Sequence, residues 1–244
     1  MEAALHLGPA GFAAVLVVVT VGAAVQGSVG FGANLLAAPV LAAIEPEALP
    51  TTLMVLILPL AVAMVRREHE GVDRGAVGWL MAGRVPGTVV GSLVVAAITA
   101  DTLSVLAGAA VLVAVLTSVV APRVPVTPAT CVAAGVASGA MGTATSIGGP
   151  PLALLYQHQE GPVLRATLAA TFALGTVLSL VGLALAGAVD PWQVALAGAL
   201  LPGTLVGIGV SSRLAPRLDG AWLRPAVLAF AAVTATVVLV RGLV

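Results

Sequence analysis

Apolar residues run along this chain in long blocks, near 10–43, 50–65, 76–98, 103–121, 128–157, 163–188, 191–211 and 221–240, parted by short polar or turn-forming clusters. No block alternates with the two-residue period of a lipid-facing barrel strand, and most approach the ~20 residues that a helix needs to cross a bilayer. Helices are therefore the expected elements. The first and fifth blocks are too long for one plain helix, and both are interrupted. Gln26-Gly27-Ser28-Val29-Gly30-Phe31-Gly32 cuts the first; Gly139-Ala140-Met141-Gly142 and Gly148-Gly149-Pro150-Pro151 cut the fifth. A glycine costs a helix interior about 1 kcal/mol and a proline about 3, so both blocks are expected to be broken helices.

The interruptions recur. Sliding the chain by 112 residues lays Gly27 on Gly139, Gly30 on Gly142, Pro39 on Pro151, Pro50 on Pro162 and Asn34 on Ser146. At a shift of 116, Pro86-Gly87-Thr88-Val89-Val90-Gly91 falls on Pro202-Gly203-Thr204-Leu205-Val206-Gly207. Matches between alanine-rich stretches carry no weight, but these glycine and proline coincidences point to two homologous halves, 1–122 and 123–244.

Arginine placement selects a topology. If all eight blocks cross once, the loop arginines divide five against four, contrary to the bias of short cytoplasmic loops. If the two broken blocks instead turn back and leave on the side they entered, Arg66, Arg67, Arg74, Arg123, Arg165, Arg213, Arg217 and Arg224 share one side and only Arg241 lies opposite. Each half then holds a re-entrant or broken-helix hairpin plus three crossings, an odd number, so the halves run in opposite senses. The expected fold is an all-α polytopic membrane protein of two inverted-topology repeats, in an inner membrane, with the main arginine loops cytoplasmic and both termini outside.

Composition agrees and narrows the field. Of the 244 residues, 60% are hydrophobic and 8% charged, and the formal net charge is zero; soluble domains carry ~25% charged residues. An aqueous domain and a nucleic-acid partner are excluded, leaving the lipid bilayer as the surrounding medium. Met1 to Gly8 holds Glu2 and no arginine, unlike the start of a secretory leader. There is no lysine, so a Walker-type phosphate loop is impossible. Glu45, Glu47, Asp101 and Asp190 fall in outer loops and Glu160 in an inner one, which argues against a mid-membrane carboxylate proton relay. No serine–histidine or aspartate pair sits at depth for intramembrane proteolysis, and ligands for a metal are too few. No enzyme activity, metal or cofactor is expected. Cys131 is the single cysteine and reads as a small buried hydrophobe.

Candidate chemistry gathers at the two breaks. A helix that begins inside the membrane offers unpaired N–H groups at the positive end of its dipole, a site for an anion. Glycines let a ligand approach the backbone, and Ser28, Asn34, Thr143, Thr145 and Ser146 add neutral hydrogen-bond donors; close helix packing is the competing role for such small residues. Arg84 is the single charge well inside a predicted crossing, placed either to meet an anion or to snorkel to the interface. Its counterpart at the 116 shift is Leu200. Arg165 reads as a snorkelling residue, Tyr156, Trp192 and Trp222 as interfacial anchors, and His158, beside Gln157 and Gln159, as an interfacial histidine.

The run from Gln26 to Gly32, followed by Pro39, resembles the first-half motif of the sulfite exporter TauE/SafE family of membrane transporters. Gly139 to Gly142, with Ser146-Ile147-Gly148-Gly149-Pro150-Pro151-Leu152-Ala153-Leu154-Leu155-Tyr156-Gln157, resembles its second-half motif. The first motif is leaner than usual, carrying Ala33-Asn34 where further glycine is common. The resemblance covers the chain's length and two-half layout. It implies transport of a small sulfur oxyanion or organosulfonate, such as sulfite, sulfoacetate or sulfolactate. Substrate-binding residues are expected among Gln26, Gly27, Ser28, Gly30, Gly32, Asn34, Arg84, Gly142, Thr143, Thr145, Ser146, Gly148, Gly149, Pro150 and Gln157. Transport of another small organic anion and a non-transporting membrane scaffold are the competing readings, and the sequence leaves open whether the chain forms a homo-oligomer.

Overall fold

A computed structural model describes residues 7–120, 124–214, 229, 232–237 and 239–240. Within them the chain is helical and contains no strand: α1 (Gly8–Val29), α2 (Ala33–Ile44), α3 (Thr51–Glu68), α4 (Arg74–Ala97), α5 (Ala100–Val120), α6 (Pro128–Thr145), α7 (Gly149–Tyr156), α8 (Gly161–Leu185) and α9 (Pro191–Leu214). Most of the last apolar block lies outside the described residues, as do Arg123, Arg217, Trp222, Arg224 and Arg241. Local chemistry sets several starts. Asp73 accepts from the Ala76 N–H at 3.0 Å to cap α4, and Thr127 and Thr130 form a reciprocal capping box before Pro128 at the head of α6.

Both long blocks are broken where glycine and proline cluster. Reversing the chain between α1 and α2 within three residues needs left-handed backbone, which Gly30 (φ 106°) and Gly32 (φ 118°) supply at little steric cost. Gly22 then packs on the Ala33 backbone and Gly11 on the Ile44 side chain, so α2 returns antiparallel along α1. In the second break Gly148 packs on Ser138 and Gly142, and α7 runs back along α6. The first arms differ in length, 22 residues in α1 and 18 in α6. At about 1.5 Å per residue, the 22 residues of α1 reach roughly 33 Å, so its first arm is long enough to cross a bilayer by itself.

Small residues set the helix neighbours. Gly83, Gly87 and Gly91 of α4 lie against the backbone of Val132, Val136 and Ala140 in α6, in parallel order. Gly203 and Gly207 of α9 lie in the same way on Leu16 and Thr20 of α1. A Cβ at these glycines would overlap backbone atoms, so the close approach depends on their absence. Between the two seams, α3 packs on α8 and α9, and α8 also meets α4.

Among the described residues α1, α4, α8 and α9 are long and apolar enough to cross a membrane. Their outer faces carry exposed large hydrophobics, among them Val89 and Leu93 of α4, Val177 and Leu185 of α8, and Leu205 and Val206 of α9. Such a belt is stable against lipid and costly against water. Contacts sort the loops as well. Arg165 pairs with Glu68 at one end of the bundle, which also holds the start of α4 and the end of α9; Gln193 donates to the Glu47 carbonyl at 2.6 Å at the other. Tyr156 differs from the interfacial anchor expected of it. It is buried, and its hydroxyl donates to Asp73 at 3.1 Å, tying the end of α7 to the cap of α4.

Candidate anion site

The hairpin tips meet in the interior. Phe31, between Gly30 and Gly32, packs on Gly149 at the head of α7. Asn34 Nδ2 donates to the Ser146 carbonyl at 2.8 Å, so two residues 112 positions apart, matched by the glycine shift, touch across the break. Ser146 takes a left-handed φ of 64° to end α6, and its hydroxyl donates to the Pro50 carbonyl at 2.8 Å.

Beside this junction lies a cavity of about 40 Å³, room for a few waters or one small anion. Its polar lining is Gln26, Asn34, Arg84, Ser146, Thr176 and Ser179, with Gly32, Gly142, Gly148 and Gly149. Its apolar lining is Phe31, Leu35, Met54, Ile57, Ile147, Pro150 and Phe172. Among the described residues no carboxylate lines it.

Arg84 does not snorkel. It is 3% exposed and turns inward from α4, where Nη1 donates to Ser138 Oγ at 3.0 Å. Ser138 in turn donates to the Gly148 carbonyl at 2.6 Å, which links the guanidinium to the second break. Gly175 of α8 lies directly against Nε and Cζ, and Gly142 near Nη2, so a side chain at Gly175 would displace the arginine. Among the described residues Arg84 has no ion-pair partner. Its Nε is buried with no hydrogen-bond partner, and so is Gln26 Nε2. The other end of Gln26 is fixed: Oε1 accepts the Ala33 N–H at 3.1 Å, so Nε2 is the end left without a partner. Two residues that line the cavity thus each keep a buried donor without an acceptor.

The helix ends add to this field. α2 and α7 both start at the cavity, presenting the positive ends of their dipoles, each worth about half a charge at most. In α7, Pro150 and Pro151 carry no N–H, so Gly149 and Leu152 are the donors left in its first turn. A cation, two helix starts and unpaired donors, with no anion among them, make an environment selective for negative charge.

The remaining expected residues are placed elsewhere. Gly27 packs under Ser211 and its carbonyl accepts from Arg67; Gly30 packs on Leu164 and Arg165. The Ser28 and Thr145 hydroxyls are satisfied within their own helices, on Ala24 and Met141 carbonyls at 2.8 Å. Thr143 stands behind the cavity, sharing a 2.7 Å hydrogen bond with Ser179. Gln157 sits at the exit of α7, its Nε2 buried and unpartnered. Exposed His158 lies outside the bundle. Sequence reasoning missed Phe31, Ser138, Phe172, Gly175, Thr176 and Ser179. Ser138 was within reach, next to the Gly139 cluster; the α8 residues belong to no glycine cluster, and only hydroxyls in an apolar helix marked them.

An apolar bundle with a lipid-facing belt and a small donor-lined cavity at two helix breaks is a multi-pass membrane protein built as transporters are. The profile of the sulfite exporter TauE/SafE family matches residues 14–238. The chain belongs to that family, and is thus a membrane transporter of the sulfite-exporter type. Comparisons with curated proteins and with solved structures returned no match.

Proposed function

We propose that this protein carries a small sulfur-containing oxyanion, sulfite or a compact organosulfonate such as sulfoacetate, across the inner membrane, and that the Arg84 cavity is its binding site. One observation carries the reading: Arg84, buried and without a carboxylate partner among the described residues, lines a cavity with Gln26, and each of the two keeps a buried donor without an acceptor. An oxyanion supplies the missing acceptors and the missing charge together. The apolar part of the lining suits a lone pair or a short carbon stub better than a second charged group.

Two inverted repeats form the frame in this reading. The α4–α6 and α1–α9 seams support it, since they exchange partners between halves and keep parallel order. Leu16 and Thr20 stand to α9 as Val136 and Ala140 stand to α4, a shift of 120 where the glycine clusters suggest 112. Alternating access then follows from rocking one seam pair against the other around the cavity. With the arginine-bearing end cytoplasmic, a potential negative inside drives a monoanion outward with ~2.3 kcal/mol per 100 mV, a roughly 50-fold ratio at equilibrium.

The test is flux in proteoliposomes loaded in turn with sulfite, sulfoacetate, a carboxylate and chloride. Sulfite or sulfonate efflux above the other anions, lost in Arg84→Gln, is the expected result. No flux of any of them would overturn the transport reading and favour the scaffold.

A further inference from the structure

At the arginine-bearing end, two guanidiniums from different helices converge on one carboxylate. Arg165 Nε, from α8, donates to both oxygens of Glu68 at 2.9 and 2.8 Å. Arg67 donates to Glu68 Oε1 from Nη2 at 2.8 Å and from Nε at 3.1 Å. Arg67 also donates to the Gly27 carbonyl in the last turn of α1, while the Cα and Cγ of Arg165 pack against Gly30. The cluster is therefore fastened to the α1–α2 break, next to Phe31, which lines the Arg84 cavity.

We infer that Arg67 and Arg165 form an outer anion site, filled in this state by the Glu68 carboxylate, which an incoming oxyanion replaces on its way to the Arg84 cavity. The inference rests on the transport reading. Three features support the exchange. The cluster has two cations and one anion, so it keeps a net attraction for a further negative group. Its grip on Glu68, several N–H donors on two oxygens, is the grip that guanidiniums make on any small oxyanion. Side-chain exposures of 27% for Arg67, 21% for Arg165 and 12% for Glu68 leave the arginines within reach of solution. Once Glu68 is displaced, no ion pair among the described residues ties α3 to α8 here, and the anion sits beside the α1–α2 break.

Breaking the pair from either side separates this role from a structural one. Glu68→Gln frees both arginines; Arg165→Gln removes half the site and leaves Glu68 neutralising the one remaining cation, Arg67. Zero-trans sulfite flux would be measured in proteoliposomes from the arginine-bearing face. Copies of the opposite orientation are blocked by an impermeant reagent at an engineered exposed cysteine. KM should fall about fivefold in Glu68→Gln and rise about fivefold in Arg165→Gln, the scale of a partly exposed ion pair, with KM from the opposite face unchanged. A structural ion pair would shift both variants the same way, and that result overturns the outer site while leaving the transport reading intact. No flux through the wild type would overturn both. Should Glu68→Gln not fold, Arg165→Lys decides: an anion site keeps part of its affinity with lysine's charge, placing KM between wild type and Arg165→Gln. Equal KM values for the two would overturn the site.

Discussion

Replacing Arg84 with methionine should have opposite effects on the empty and the anion-bound protein. In the empty protein Arg84 is buried, with no ion-pair partner among the described residues and a single side-chain hydrogen bond, to Ser138. Removing such a charge lifts a desolvation cost of several kcal/mol. The loss of one charged hydrogen bond, about 1.5–3 kcal/mol, offsets part of that gain. Ser138 keeps its bond to Gly148. The empty variant should therefore melt at the wild-type temperature or a few degrees above it. The bound state loses the same ~1.5–3 kcal/mol toward the anion, which weakens affinity about 10- to 100-fold. At an anion concentration 100 times Kd, wild type gains ~2.7 kcal/mol, about 5–11 °C at 2–4 °C per kcal/mol. With Kd raised ~100-fold, the same concentration stabilises by only ~0.4 kcal/mol, near 1 °C. Thermal unfolding of detergent-solubilised protein, with and without sulfite, reads both quantities. An empty variant that melts more than ~5 °C lower yet keeps the full sulfite shift would refute the reasoning and make Arg84 a packing residue.

Three further outcomes follow from the fold and the proposed driving force. Gly87→Leu, whose added Cβ meets Val136 backbone, should lower stability by at least ~1–3 kcal/mol, whereas Gly78→Ala, at an exposed site with nothing within 4 Å, should be neutral or gain up to ~1 kcal/mol in thermal unfolding. Single cysteines within 66–75, 123–127 and 212–222 should all react with an impermeant label from the cytoplasmic face; labelling of 66–75 and 212–222 from opposite faces would break the inverted topology. In vesicles clamped with potassium and valinomycin at equal pH, sulfite efflux should quicken with a negative interior, and His158→Ala should keep that response. Efflux that ignores voltage, follows a pH gradient and vanishes in His158→Ala would make histidine-linked proton coupling the better mechanism.

Much of the fold was legible because burial in lipid leaves a coarse signature. Apolar blocks set apart by polar turns located α1, α4, α8 and α9 within a few residues, and glycine clusters located both breaks, since helical hydrogen bonding fails where backbone freedom is greatest. The lining of the candidate cavity was legible in part. Gln26, Gly32, Asn34, Gly142, Ser146, Gly148, Gly149 and Pro150 belong to the broken segments, and Arg84 stood out as a charge in an apolar helix. All nine line the cavity.

What the residues determined by themselves was therefore medium, element type and the places where helices must stop, because these depend on local hydropathy and backbone propensity. Direction and partnership were settled by packing. Arg84 has the length to reach an interface, and it reaches the interior only because Gly142 and Gly175, from two other helices, leave room for the guanidinium. Phe172, Thr176 and Ser179 enter the site because α8 packs between the seams, not through any local motif. Glu68 and Arg165, 97 positions apart, meet because α3 and α8 lie side by side. Contacts of this kind depend on how whole helices fit together, and no spacing along one strand of sequence encodes them.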